Sequence, residues 1–203
     1  MARQIQYILI YVVLFFGIDP AFAQTKISPE LKAFNKHLAK TSITFTFPAG
    51  FKEVKPGYTD DYGFDYGIAS EEGESEIWFK IRSQKDNLAE YLKKGDKRII
   101  NPDSLYQDIG LSQANAFKNK SDERPLFIRS IPPITLNRYN ADLGKTYLIS
   151  LPDEQETKHY KFAMLVVLQK NKVGTVLAVC FANELGPGFF KNLNKASSCL
   201  KFN

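Results

Sequence analysis

The residue types most able to do chemistry crowd one stretch: Asp60, Asp61 and Asp65 stand beside the aromatics Tyr62, Phe64 and Tyr66. Paired carboxylates serve as acid and base in glycoside cleavage, so one reading is a hydrolase of an envelope or extracellular polymer. The spacing favours a structural use. Tyr62, Phe64, Tyr66 and Ile68 recur at every second residue, as the inward side chains of a strand do, which leaves Asp60 and Asp61 as turn residues before it. The twelve-residue loop of spaced carboxylates that holds calcium is absent.

Nucleophilic catalysis requires a base within reach of a hydroxyl or thiol. His37 falls on a helical stretch beside Leu38, and His159 in the polar turn Lys158-His159-Tyr160-Lys161, so both read as solvent-facing. No Gly-x-Ser-x-Gly elbow, Gly-x-Gly-x-x-Gly turn or phosphate-binding loop occurs, and no cofactor is implied. Two separated cysteines and two lone histidines make no metal-ligand spacing. Cys180 and Cys199 are even in number. They read either as a disulfide, whose loop of about 18 residues would contribute roughly 3 kcal/mol, or as two buried thiols.

The basic surplus is uneven. From residue 158 onward there are seven lysines, no arginine and one acidic residue, Glu184. Lys170, Lys172, Lys191 and Lys195, with Lys201, are the candidate contact residues for an anionic partner such as lipid headgroups, polysaccharide or an acidic protein. The alternative is a solvated surface. Missing arginine and sparse aromatic interleaving argue against nucleic acid.

These residues need elements to hold them, and the chain opens with one that does not stay. Arg3 precedes an apolar run over residues 5–18, Asp19-Pro20 breaks it, and Ala21 and Ala23 flank the expected cut before Gln24. This is the three-part pattern of a secretory leader, with an apolar run shorter than a spanning helix needs. Residues 1–23 are thus expected to be removed, leaving residues 24–203 as one exported domain, periplasmic or extracellular, with no further membrane span. The leader takes one basic and one acidic residue with it, so the net charge of the whole chain, +5, carries over.

Ser28-Pro29-Glu30 is a helix start, and Leu31, Phe34 and Leu38 mark its apolar face. Alternation predicts strands at 43–47 and 62–68, a returning arm at 51–54, and a further strand holding Ile77, Phe79 and Ile81. Trp78 points the other way, either as an exposed binding residue or, as the better reading, to pack beneath a helix. Short helices follow around Leu88–Leu92 and from Asn101 to Phe117, with Gly110 and Ser112 as a break. Residues 125–136 read as extended, interrupted by Pro132-Pro133.

The last strands, at 147–151, 162–168 and 173–182, end in two that are apolar on both faces and are therefore expected to be covered on both sides. The final strand has one bulky face (Val173, Leu177, Val179, Phe181) and one of mostly small residues (Gly174, Val176, Ala178, Cys180, Ala182). Small side chains admit a closing helix, predicted around Phe189–Ala196, which would bring Cys199 toward Cys180. The fold class is α+β: an antiparallel sheet flanked by helices.

This order of elements, with the early turn Phe47-Pro48-Ala49-Gly50-Phe51 and a last helix near residues 189–200, resembles the PsbP/DcrB-like α/β/α sandwich family. Many relatives carry tryptophan where this chain has Phe51. The resemblance implies an accessory or binding protein without a shared catalytic site, and assigns no functional residue.

Overall fold

The computed structural model describes residues 27–57, 63–73, 75–94 and 101–203. The leader (1–23), Asp60, Asp61 and Tyr62 lie outside the described residues.

The fold is α+β, built on a seven-stranded antiparallel sheet. In chain order the elements are α1 (Pro29–Lys40), β1 (Ile43–Phe45), β2 (Phe51–Val54), β3 (Tyr66–Ser70), β4 (Ser75–Ser83) and α2 (Lys85–Lys94). A 3-10 turn (Pro102–Leu105) then leads into α3 (Tyr106–Phe117), β5 (Phe127–Ser130) and α4 (Pro133–Tyr139). The chain finishes with β6 (Leu143–Ser150), β7 (Phe162–Lys170), β8 (Gly174–Ala182), α5 (Pro187–Ala196) and β9 (Leu200–Phe202). Sheet order is β2-β3-β4-β8-β7-β6-β5, so the last long strand sits at the centre. A two-stranded sheet joins β1 to β9, with Ile43 opposite Phe202, and ties the start of the described fold to its end.

Period-two alternation sorts the side chains into two cores. On one face Trp78, Tyr147, Ile149, Leu165, Val167, Leu177, Val179 and Phe181 are buried, with Ala114 and Phe117 of α3 packed on them. On the other, Tyr66, Ile68, Ile77, Phe79, Val176 and Cys180 meet Phe34 and Leu38 of α1, Phe189 and Ala196 of α5, and Phe202 of β9. Burial of large apolar side chains at roughly 2 kcal/mol each is what holds the helices to the sheet.

Ser28 caps α1 as its sequence predicts, its Oγ accepting the Leu31 N–H at 2.9 Å. The small face of β8 does receive α5. Three readings need correction. Pro132-Pro133 does interrupt the extended segment, but residues 133–136 are not extended: Pro133 starts α4, because proline at the first helical position lacks only an N–H that would be unpaired anyway. Gly110 does not break α3. A Cβ there would lie 2.9 Å from Tyr147 Oη and 3.0 Å from Val167 Cγ2, so the glycine lets helix and sheet approach. Phe64 does not share a face with Tyr66. It precedes β3 and crosses to the opposite core, 5.6 Å from Trp78 and 6.0 Å from Phe117 between ring centres.

Candidate functional site

One face of the sheet is less completely covered toward its β5 edge. On β6 and β7, Tyr147, Ile149, Ala163, Leu165 and Val167 are at most 2% exposed, whereas the alternate residues Thr146, Leu148, Phe162, Met164 and Val166 are only partly covered. The same row continues onto β5, where Phe127 lies opposite Leu148 and Arg129 opposite Thr146, both exposed. It continues inward to Ala178 of β8, the one half-exposed position in that strand. The expectation that β7 is sheathed on both sides is therefore met only in part. α1, α4, α5 and β9 bury the β3-β4-β8 part of this face and the Leu168 end of β7, while Met164, Val166 and Ala178 pack against that core but keep part of their surface exposed.

Where the cover stops, a crevice of about 40 Å³ opens under the α5 flank. Its lining is almost wholly apolar: Val166, Ala178 and Cys180 on the sheet side, and Leu193, Ala196 and Cys199 on the side of α5 and its exit. Polar character enters at Tyr139 and Ser197, whose side chains hydrogen-bond each other. Burial pushes the Tyr139 hydroxyl pKa up, while Ser197 and the nearby Arg138 charge pull it down. The volume admits a chain end or a branch, not a whole ligand. A larger apolar body would lie along the open row and seat one end here.

Cations flank that row. The Arg129 guanidinium lies over the Phe127 ring, 4.7 Å from its centre. Beyond Phe127, a depression of about 210 Å³ is lined by Lys118, Arg124, Leu148 and Ser150, with Asp122 clamping Arg124 at 2.8 Å.

The acidic groove expected near Asp65 exists, but its carboxylates are engaged. It measures about 790 Å³ and is lined by Glu30, Glu53, Asp65, Phe64 and Tyr66, among others. Asp65 Oδ2 accepts the Ile81 N–H at 2.6 Å, and the Asp65 N–H donates to Phe79 O at 2.8 Å, which prolongs the β3–β4 pairing. Glu53 Oε2 accepts both the Ser28 and the Tyr66 hydroxyls at 2.6 Å. These are joints between α1, β2 and β3. Carboxylates so committed are poorly placed to exchange protons with a substrate.

The four candidate lysines fall on two elements. Lys170, at the β7 end of the β7–β8 hairpin, is paired with Asp142 at 2.9 Å and Asn140 at 3.2 Å. Burial alone would raise the Asp142 pKa, but the Lys170 ammonium and the Asn171 N–H hold it below the usual range. Lys172 occupies the turn itself, at φ 63°. Lys191 and Lys195 stand on α5, where a Cβ on Gly50 would lie 3.8 Å from Lys195 Nζ, toward β2 and away from the crevice.

Neither histidine faces a nucleophile. His37 is part-buried with its Nε2 3.2 Å from Ile81 O, so it is not simply solvent-facing; His159 Nδ1 lies 2.5 Å from Asp153, both exposed. Cys180 and Cys199 are not bonded to each other in this structure; both are buried and line the crevice from its two sides. Among the described residues, no group of three His, Cys, Asp or Glu is placed to hold a metal, and no helix is long and apolar enough to cross a membrane.

A buried polar cluster escaped the sequence. Glu76, 9% exposed, accepts the Trp78 indole N–H and the Lys158 ammonium, each at 2.8 Å. Lys158 and His159 both adopt left-handed backbone, at φ 54° and 61°, which aims the lysine inward. A Glu two residues before a Trp on a strand carries the only signal, since i and i+2 share a face.

Fold and site together define an α+β protein with one armoured sheet face and one left half open. A scan against protein-family models finds no match, and no curated protein matches the chain.

Proposed function

We propose that this is an exported, non-catalytic binding or accessory protein of the cell envelope, related to the PsbP/DcrB-like sandwiches, that holds an anionic amphiphile against the half-open face. The observation that carries the reading is the row Phe127, Leu148, Met164, Val166 and Ala178, apolar yet incompletely covered, leading into an apolar crevice. A row of that kind on a monomer marks an interaction site. The occupant is argued from charge. Arg129 stands on the same strand face as Phe127, the Arg138 charge reaches Tyr139 at the crevice mouth, and the chain carries a net +5. An acyl chain on the row with an acidic head at these cations satisfies both.

Export is supported by the leader pattern of residues 1–23. The family reading rests on element order and on an antiparallel sheet with helices on both faces. The hydrolase alternative has less support, because Asp65 and Glu53 serve as structural joints.

The test is native mass spectrometry and thermal shift of the mature protein with phosphatidylglycerol, phosphatidylethanolamine, a free fatty acid and soluble glycans. Stabilisation by the acidic lipid and the fatty acid, absent with glycans, is the expected result. Stabilisation by glycans alone, or by none of these, overturns the reading.

A further inference from the structure

We propose that Cys180 and Cys199 form an intramolecular disulfide during folding of the exported chain, clamping the exit of α5 to the centre of the sheet. The pair rests on three placements. Both side chains line one crevice and belong to one buried cluster. The lining between their elements includes small side chains, Ala178 on the sheet side and Ala196 on the α5 side. The segment they bracket holds the whole of α5 (Pro187–Ala196), so a bond there holds that helix at both ends. The inference rests on the export reading for its oxidising surroundings.

The chemistry closes in two exchanges. One cysteine thiolate attacks the disulfide of an oxidant of the dithiol-oxidase or oxidised-glutathione class, releasing one oxidant thiol and forming a mixed disulfide. The second cysteine thiolate then displaces the other oxidant sulfur, forming the internal bond. Two protons and two electrons pass to the oxidant, which leaves as a dithiol if it is a dithiol oxidase, or as two glutathione thiols. Timing follows from burial. In the folded protein burial pushes the Cys199 thiol up to about 12, and burial together with the neighbouring Cys199 pushes Cys180 higher still. Thiolates are scarce once α5 has docked, so the bond closes as the helix packs. It is a structural staple, not a switch thrown in the finished fold.

One measurement separates this proposal from the export reading. The full chain is expressed with its own leader in a bacterium, alkylated in denaturant without reductant, and weighed intact. The expected mass begins at Gln24, is 2 Da below the dithiol form and carries no alkyl group. A chain cut at Gln24 with two alkylated cysteines overturns the disulfide and leaves export standing; a chain retaining residues 1–23 overturns export.

A second arm works without the cell. Protein reduced in urea is refolded over a range of glutathione redox mixtures, against the same mixtures in urea. A bond that stabilises the fold is stabilised by it, so folding is expected to raise its resistance to reduction at least about tenfold, and oxidation to raise Tm by roughly 5–10 °C. Equal resistance in both states, or glutathione adducts in place of the internal bond, overturns the proposal.

Discussion

Lys158 reaches across from a left-handed turn to place its ammonium 2.8 Å from Glu76, a carboxylate whose side chain is 11% exposed in the middle of an aromatic wall. The same carboxylate oxygen takes the Trp78 indole N–H, and the lysine also donates to Lys55 O at 3.0 Å and lies 5.4 Å from the centre of the Trp78 ring. One ion pair thus fastens the segment before β7 to β4 and to the end of β2. Lys158→Met is expected to cost about 2 kcal/mol, because it leaves a nearly buried carboxylate without its cation. Glu76→Gln, which keeps an acceptor for Trp78 and discharges the pair, is expected to cost less. Urea denaturation with tryptophan emission as the probe reads both, and an equal or reversed order counts against this assignment.

Among the described residues three phenols should ionise late, Tyr66, Tyr139 and Tyr160. Burial, then the charge of Glu76 and a hydrogen bond to it, push Tyr160 up to about 12. Burial and the bond to Glu53 push Tyr66 further in the same direction. The unfolded chain releases these protons near pH 10. Their contribution to stability is therefore complete below about pH 10 and is lost as pH rises through the folded values. A spectrophotometric titration of phenolate should show a late-ionising group of tyrosines that includes Tyr66, Tyr139 and Tyr160, smaller by one in Tyr160→Phe.

Gly110→Ala separates intrinsic helix preference from packing. In an exposed helix interior this change would gain up to about 1 kcal/mol. Here the new methyl meets Tyr147 and Val167, so a net loss of about 1–3 kcal/mol is expected. Adding Tyr147→Phe removes the nearest atom and should recover part of that loss. A stabilised single variant would show that α3 does not sit this close to the sheet.

Much of this architecture was legible along the chain, and the failures share one cause. The alternation of β8 foretold which face would be small and which helix would dock on it, because period two is a local property. The Ser28 cap and the burial of Trp78 were local as well. Gly110 was misread because its local meaning, breaker, is reversed by the sheet packed against α3; Pro132-Pro133 does interrupt the extended segment, and what escaped was that Pro133 opens a helix. The pairing of β1 with β9 spans the whole described fold and left no mark in either three-residue strand. The half-open face was hidden for the same reason. Phe162, Met164 and Val166 read as core, and only the extent of the helices above them decides otherwise.

That asymmetry is measurable on adjacent residues of β7. Leu165, fully buried against the α3 side, should lose about 2–5 kcal/mol on change to alanine. Val166, half-covered on the open face, should lose about 1 kcal/mol or less as Val166→Ala. Comparable losses at both positions would mean that the face is closed in solution.

The most direct measurement maps the occupant itself: amide and methyl chemical shifts of the mature protein, titrated with monomeric acidic lipid, alongside Val166→Asp and Arg129→Glu. Perturbations along Phe127, Leu148, Met164, Val166 and Ala178, abolished by the first variant and weakened at least about tenfold by the second, are the predicted result. Perturbations confined to the groove around Glu53 and Asp65, or lipid binding undiminished in Val166→Asp, would contradict it.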